Sequence, residues 1–224
     1  MDENQNLENS LFETLTDNSV ELGGEIAELT IDQFIDNDLL KEIPFFSIFY
    51  KSLKTVQGLR EALFAMKVYK FITEFGQIKQ KEKEKLLNKI TSDKREKIKV
   101  GQTLIMILEK IDDLDKTQII ANLFAAYIKL EITKSEFIQL CSIVQNAYLD
   151  YLLLFAKMKS YDNLSLDIQS NLSSFGLMTP IVNDLKYMYG SSVIIENNDY
   201  MIVYVVSSIG MKMKKYAFKN TPNS

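Results

Sequence analysis

Between Asp115 and Phe155 the apolar residues return at three- and four-residue steps, and that spacing limits the fold more than any other feature of the chain. Ile119, Ile120, Leu123, Phe124, Tyr127 and Ile128 form one series; Phe137, Leu140, Cys141, Val144, Tyr148, Leu152 and Phe155 form a second. Residues so spaced share one side of an α-helix, so the stretch predicts two amphipathic helices. The break between them carries its own start signal. Thr133 and Glu136 stand in the T-x-x-E arrangement, where each side chain takes up a backbone N–H that the first turn leaves unpaired. Asp115 and Gln118 offer the same arrangement to the helix before. A connection this short predicts an antiparallel hairpin. Each helix buries only one face, and that burial does little more than match the entropy of ordering the segment. The flanking sequence must therefore supply elements for the hairpin to dock on.

With only 8 Gly and 3 Pro in 224 residues, helix breakers are too scarce for a many-turned β fold. The expected class is mainly α: a disordered acidic tail over 1–10, a multi-helix bundle over 11–160, and a small α+β module over 161–224. There is no His, which removes imidazole as base, acid or ligand, and Cys141 is the only cysteine. No zinc set and no internal disulfide can be built, and no metal or cofactor is expected. Glu109, Asp112, Asp113 and Asp115 cluster between two predicted helices. A calcium loop begun at Asp113 would place Gln118 at its glycine position and Phe124 at its glutamate position, so it fails. The cluster is read as a helix end followed by a helix start, where carboxylates cap and favour the positive end of the dipole.

The acidic start MDENQNLENS does not match a secretory signal, and runs such as 117–128 and 137–149 are too short and polar to cross a bilayer. A cytoplasmic protein is expected, with the inner membrane face as its one alternative place. The net charge of −4 is unevenly spread: residues 1–43 hold 12 acidic groups against one basic, and residues 44–100 hold 14 basic against 6 acidic. Within the basic part, Phe45, Phe46 and Phe49 precede Lys51, Lys54, Arg60, Lys67 and Lys70. Aromatics beside lysines on a helix suit an anionic membrane interface or a partner surface, with the acidic arm as a shield. They also suit a core helix whose lysines face water, and that plainer reading is preferred.

Several punctuation marks divide the rest. Gly23-Gly24 interrupts weak helical patterning over 11–35, Asp36-Asn37-Asp38 is a turn, and Pro44 holds Ile43 extended until a new helix opens. Gly58 bends or divides the aromatic segment. Lys79–Lys99 predicts a solvated charged helix, capped after Ser92 or Asp93 by one running to about Ile111 with Leu104, Ile105, Leu108 and Ile111 inward. After a further helix over 164–175 ending at Gly176, Thr179-Pro180 predicts a turn. Val193-Ile194-Ile195 and Tyr200–Val206 predict a hairpin across Glu196-Asn197-Asn198-Asp199, followed by a helix over 208–218. That order is winged-helix-like. A DNA reader would carry Lys or Arg on its helix and wing, whereas Asp167, Glu196 and Asp199 stand there and Lys212, Lys214, Lys215 and Lys219 lie beyond. Nucleic acid is disfavoured as a partner.

Three stretches, ELTIDQFIDNDLLKEIPFFSIFYKSL, GLREALFAMKVYKFITEF and VGQTLIMILEKIDDLDKTQIIANLFAAYIKLEITKSEFIQL, resemble an uncharacterised family of bacterial all-helical proteins across about 28–154. The family's usual second stretch has Ile-Arg-Asp-Arg where this chain has Leu59-Arg60-Glu61-Ala62, so a role for that second basic residue does not carry over. The resemblance implies a helical fold, a setting near mobile elements and a part in defence, with no activity attached. No nucleophile–base set and no glycine-rich phosphate loop is present. The expectation is thus a non-enzymatic interaction protein, regulator or adaptor, with a protein partner or a second copy. The alternatives are a peripheral membrane effector and a DNA-binding regulator.

Overall fold

A computed structural model describes residues 6–16, 34, 37–52, 58–76, 84, 94–158, 164–184 and 200–218. Among them stand ten helices and two strands, a mainly α protein with a small antiparallel sheet near its C-terminus. By backbone contact the chain divides into two units, 1–145 and 146–224. The division falls before the expected boundary at 160.

The first unit holds α1 (Leu7–Thr16), α2 (Asp38–Glu42), α3 (Pro44–Ser52), α4 (Leu59–Gly76), α5 (Lys94–Lys110), α6 (Lys116–Ile128) and α7 (Lys134–Asn146, ending one residue past the boundary). α1 begins inside the stretch expected to be disordered. Its Leu11, Phe12 and Leu15 are buried, and it lies on α3, α4 and α5. Burial of that apolar face outweighs the polar character of the flanking tail. Gly101 permits the α1–α5 crossing: a Cβ there would come within 2.8 Å of Glu8 Cβ and 3.2 Å of Glu8 Cα. Thr14 ties α1 to α3. Its hydroxyl accepts from Phe45 N at 3.1 Å, a first-turn donor with no partner in its own helix, and donates to Ser10 O at 2.9 Å. Asn37 caps α2 by accepting from Leu39 N at 3.0 Å, and Ile43 is extended before Pro44, as proline requires.

α4 is the central element. Ala62, Ala65, Val68, Tyr69, Ile72 and Phe75 fall on one buried stripe, and Phe71 flanks it. Two aromatic clusters meet on this helix. One joins Phe34, Phe45, Phe46, Phe49, Tyr50, Phe64 and Tyr69; the other joins Phe71 and Phe75 to Phe124, which touches Tyr127 and Phe137. The helix nearest α6 in backbone packing is α4, not α7. The expected antiparallel hairpin is therefore replaced by a joint at which the Tyr127 and Phe137 rings stack at 5.3 Å. Thr133 and Glu136 do form the reciprocal cap, at 2.9 and 3.2 Å. Asp115 and Gln118 do not: Asp115 makes no side-chain cap, and Gln118 hydrogen-bonds Glu74 instead.

The second unit holds α8 (Leu149–Lys157), α9 (Leu166–Ser174), β1 (Met178–Asp184), β2 (Tyr200–Val206) and α10 (Ser208–Tyr216). The helix expected to run from Phe137 to Phe155 breaks at Ala147-Tyr148, where Tyr148 is extended and exposed. Ser165 and Ser207 cap α9 and α10. Gly176, at φ +77°, ends α9 as predicted, with Gly176 N on Ser173 O and Leu177 N on Leu172 O. Thr179-Pro180 is no turn. Both residues lie in β1, which pairs antiparallel with β2 in the register Met178↔Val206 to Asp184↔Tyr200. The strand predicted at Val193–Ile195, the Gly23-Gly24 interruption and most of the Lys79–Lys99 run lie outside the described residues.

Candidate functional site

Among the described residues of the first unit, charged side chains gather at the joint between α5 and α6. Four cations converge on it. Arg60 Nη2 meets Glu109 Oε1 at 2.6 Å, Lys70 Nζ meets Asp115 Oδ1 at 2.6 Å, and Lys116 Nζ meets Asp112 Oδ1 at 2.6 Å. Lys67 Nζ donates to the carbonyls of Glu109 and Ile111, at the end of α5, where the helix dipole favours a cation. Asp113 Oδ1 accepts from Asp115 N at 2.8 Å and shapes the turn. The basic side of α4 and the acidic cluster, read separately in the sequence, are thus each other's counterparts.

The electrostatics follow from this geometry. The Lys116 ammonium beside Asp112 holds that carboxyl below its ordinary range. Burial pulls the Lys67 ammonium down against the pull of Asp112 and Glu109, and burial pushes the Glu74 carboxyl up despite Lys70 and Gln118. Lys116 has a side chain only 2% exposed while Asp112 is 72% exposed, so one partner is dry and the other wet. Gln145 completes the joint from α7, giving its Nε2 to Ile107 O at 3.2 Å and its carbonyl to Lys116 Nζ at 3.4 Å. Among the described residues, no group of three or more His, Cys, Asp or Glu is arranged to hold a metal ion.

Beside the joint lies an open recess of about 360 Å³ lined by Phe49, Phe64, Ile105, Arg60, Glu61 and Glu109. Its walls are apolar and its rim carries the Arg60–Glu109 pair. The arrangement can seat a side chain or a small amphipathic group, and it offers no nucleophile–base set.

The residues expected as a membrane or partner surface are dispersed by the fold. Phe45, Phe46 and Phe49 are buried in the first aromatic cluster, because α1 packs on α3 and the Phe64 and Tyr69 rings of α4 meet theirs. Phe45 and Phe46 present no surface, and Phe49 reaches only the wall of the recess. Lys51 is exposed, Lys54 lies outside the described residues, and Arg60, Lys67 and Lys70 serve the α5–α6 joint. Of the C-terminal basic residues, Lys214 donates to Met158 O and lies over the Phe155 ring, Lys215 lies over Tyr216, and Lys219 is outside the described residues. Cys141 is fully buried, which pushes its thiol well up and leaves it unreactive. No single helix among the described residues is long and apolar enough to cross a membrane.

Sequence reasoning missed the apolar surface of the second unit. Ile181, Val182 and Ile202 are 42%, 61% and 52% exposed on the ribbon, and Tyr148, Leu154, Leu166 and Met211 are exposed on its helices. The available signal was YMIVYVV, seven residues of high strand propensity with no charge. No family model, curated protein or solved structure matches the chain.

Proposed function

We propose that the chain is a non-enzymatic protein-interaction module that binds its partner through the C-terminal unit, as a regulator or adaptor in bacterial stress or phage defence. The observation that carries this reading is the apolar exposure of that unit. Seven large apolar residues stand open on it, three of them on one ribbon. Large apolar side chains left open to solvent in this number mark contact sites on soluble domains. The cations and phenylalanines of the first unit support the reading by default of the alternative, since they are engaged internally. The place in defence rests on the sequence resemblance alone.

The test is recovery of a defined partner by crosslinking the full chain in its source cell, against a variant carrying Ile181→Ser and Val182→Ser. A partner lost from the variant, with an unchanged thermal melt, is the expected result. A strictly monomeric wild type that recovers nothing would count against the reading.

A further inference from the structure

β2 is out of place as an edge. None of Ile202, Val203, Tyr204, Val205 and Val206 is buried, and the strand has no charged residue, no proline and no bulge to protect it. Among the described residues no third strand pairs with either β1 or β2.

The hydrogen-bond parity separates the two free edges. Ser207 N donates to Leu177 O at 3.0 Å, which makes 177/207 a bonded pair and, by alternation along the register, 179/205 and 181/203 as well. Pro180/Tyr204 and Val182/Ile202 are then the pairs whose main-chain groups point away from the ladder. Pro180 has no N–H to offer there, so the outer edge of β1 lacks a donor near its centre. The outer edge of β2 keeps the donors and acceptors of Ile202 and Tyr204. A new strand is thus admitted on β2 and discouraged on β1.

We propose that this edge takes β2 of a second copy of the chain, antiparallel and centred on Val203. Four features select that occupant. Centring on Val203 sets Ile202 opposite Tyr204 of the second copy, so that outward-pointing backbone groups meet each other. It also makes a β-branched–aromatic cross-strand pair, one of the favourable kinds. With no charge on β2, self-pairing opposes no like charges. The resulting sheet, ordered β1-β2-β2-β1, has two-fold symmetry, and both its outer edges carry Pro180, so assembly stops at a dimer. The inference deepens the interaction reading and rests on it.

The experiment is sedimentation equilibrium of the full chain. A dimer of twice 25.8 kDa is expected for the wild type. Val203→Lys and Val203→Glu, which place like charges face to face on the axis, should each be monomeric, and their equimolar mixture should return the dimer. A misfolded variant could not give that rescue. Ile202→Pro removes an outward N–H without touching the β1 ladder and should also give a monomer. A dimer that survives all three substitutions overturns the strand pairing while leaving the interaction reading intact. A wild type that is monomeric, or that forms open-ended assemblies, overturns the pairing too; partner recovery from the cell then decides the interaction reading separately.

Discussion

Among the described residues, the first unit buries 34 apolar residues and leaves five large ones exposed, whereas the second buries ten and leaves seven. The first unit spends its aromatics inward and closes its charges on one another at the α5–α6 joint. The second carries a ribbon outward on a small base, and its strand β2 is mostly β-branched and aromatic with no charge. The difference teaches that burial is unevenly divided: one unit hides its large apolar side chains, and the other leaves many of them open. On the interaction reading proposed above, the exposed aliphatics over the thinner core are the contact surface.

The largest expected effect sharpens that contrast at two close crossings. A Cβ at Gly210 would overlap Leu177 O and lie 2.9 Å from Val206 Cγ1, so the backbone of the ribbon's base has to move. Gly210→Ala should cost about 3 kcal/mol or more, since overpacking against backbone relaxes poorly. Hydrogen exchange should show protection lost across 164–218. Gly101→Ala meets Glu8 at the α1 crossing, where one helix can slide, and should cost only ~1–2 kcal/mol. Equal losses across 94–145 in the Gly210 variant would break the contrast.

Next comes the wet-and-dry pair in the first unit. Asp112→Asn strands the buried Lys116 ammonium with little beyond Gln145 O, and should cost about 2 kcal/mol. Lys116→Met leaves the exposed Asp112 to water and buries a similar volume, so it should cost under ~1 kcal/mol. Urea melts of both variants check the order. A reversal would mean that the joint is held by Asp112's other contacts.

A smaller effect compares one motif in both units. α6 and α9 end in the same way, with the residue after the cap in the left-handed region: Leu130 at φ +59° and Gly176 at φ +77°. At Leu130, Leu130 N bonds Tyr127 O and Glu131 N bonds Ala126 O, the full Schellman pattern. Leucine is strained there and glycine is not, so Leu130→Gly should stabilise by ~0.5–1 kcal/mol and Gly176→Ala should destabilise by about 1 kcal/mol. Paired thermal melts decide it.

What was legible in the sequence was what is local. The Thr133–Glu136 cap, the Gly176 stop, the extended Ile43 before Pro44 and the helical stripe of α6 each depend on residues within a few positions. The Asp115–Gln118 cap failed because both side chains found distant partners, Lys70 and Glu74, which no local pattern announces. The break before Tyr148 was hidden because Val144 to Tyr148 keeps helical spacing across it. The basic side of α4 was visible as charge, yet its counterpart lay about 45 residues away in a turn read on its own. Pro180 was taken for a turn because proline is rare in strands, and it is tolerated here only because its nitrogen faces outward at an edge.

The smallest effect separates two carboxylates beside the same joint by the sign of their pH dependence. Burial raises the Glu74 carboxyl above 4.5, so its native contribution is fully present below that value and is lost as pH rises through the folded one. Glu74→Gln should therefore raise the melting temperature slightly near neutral pH, with the gain vanishing in acid. Asp112 is lowered below 3.8, so its contribution is present above 3.8 and is lost as pH falls through the folded value. Asp112→Asn should lower the melting temperature near neutral pH and converge with wild type in acid. Melting curves of both variants from neutral to acid pH should then fan apart in opposite directions from a common acidic limit. If the Glu74 variant melts lower at neutral pH, its contacts to Lys70 and Gln118 outweigh desolvation, and the joint has a fourth working ion pair.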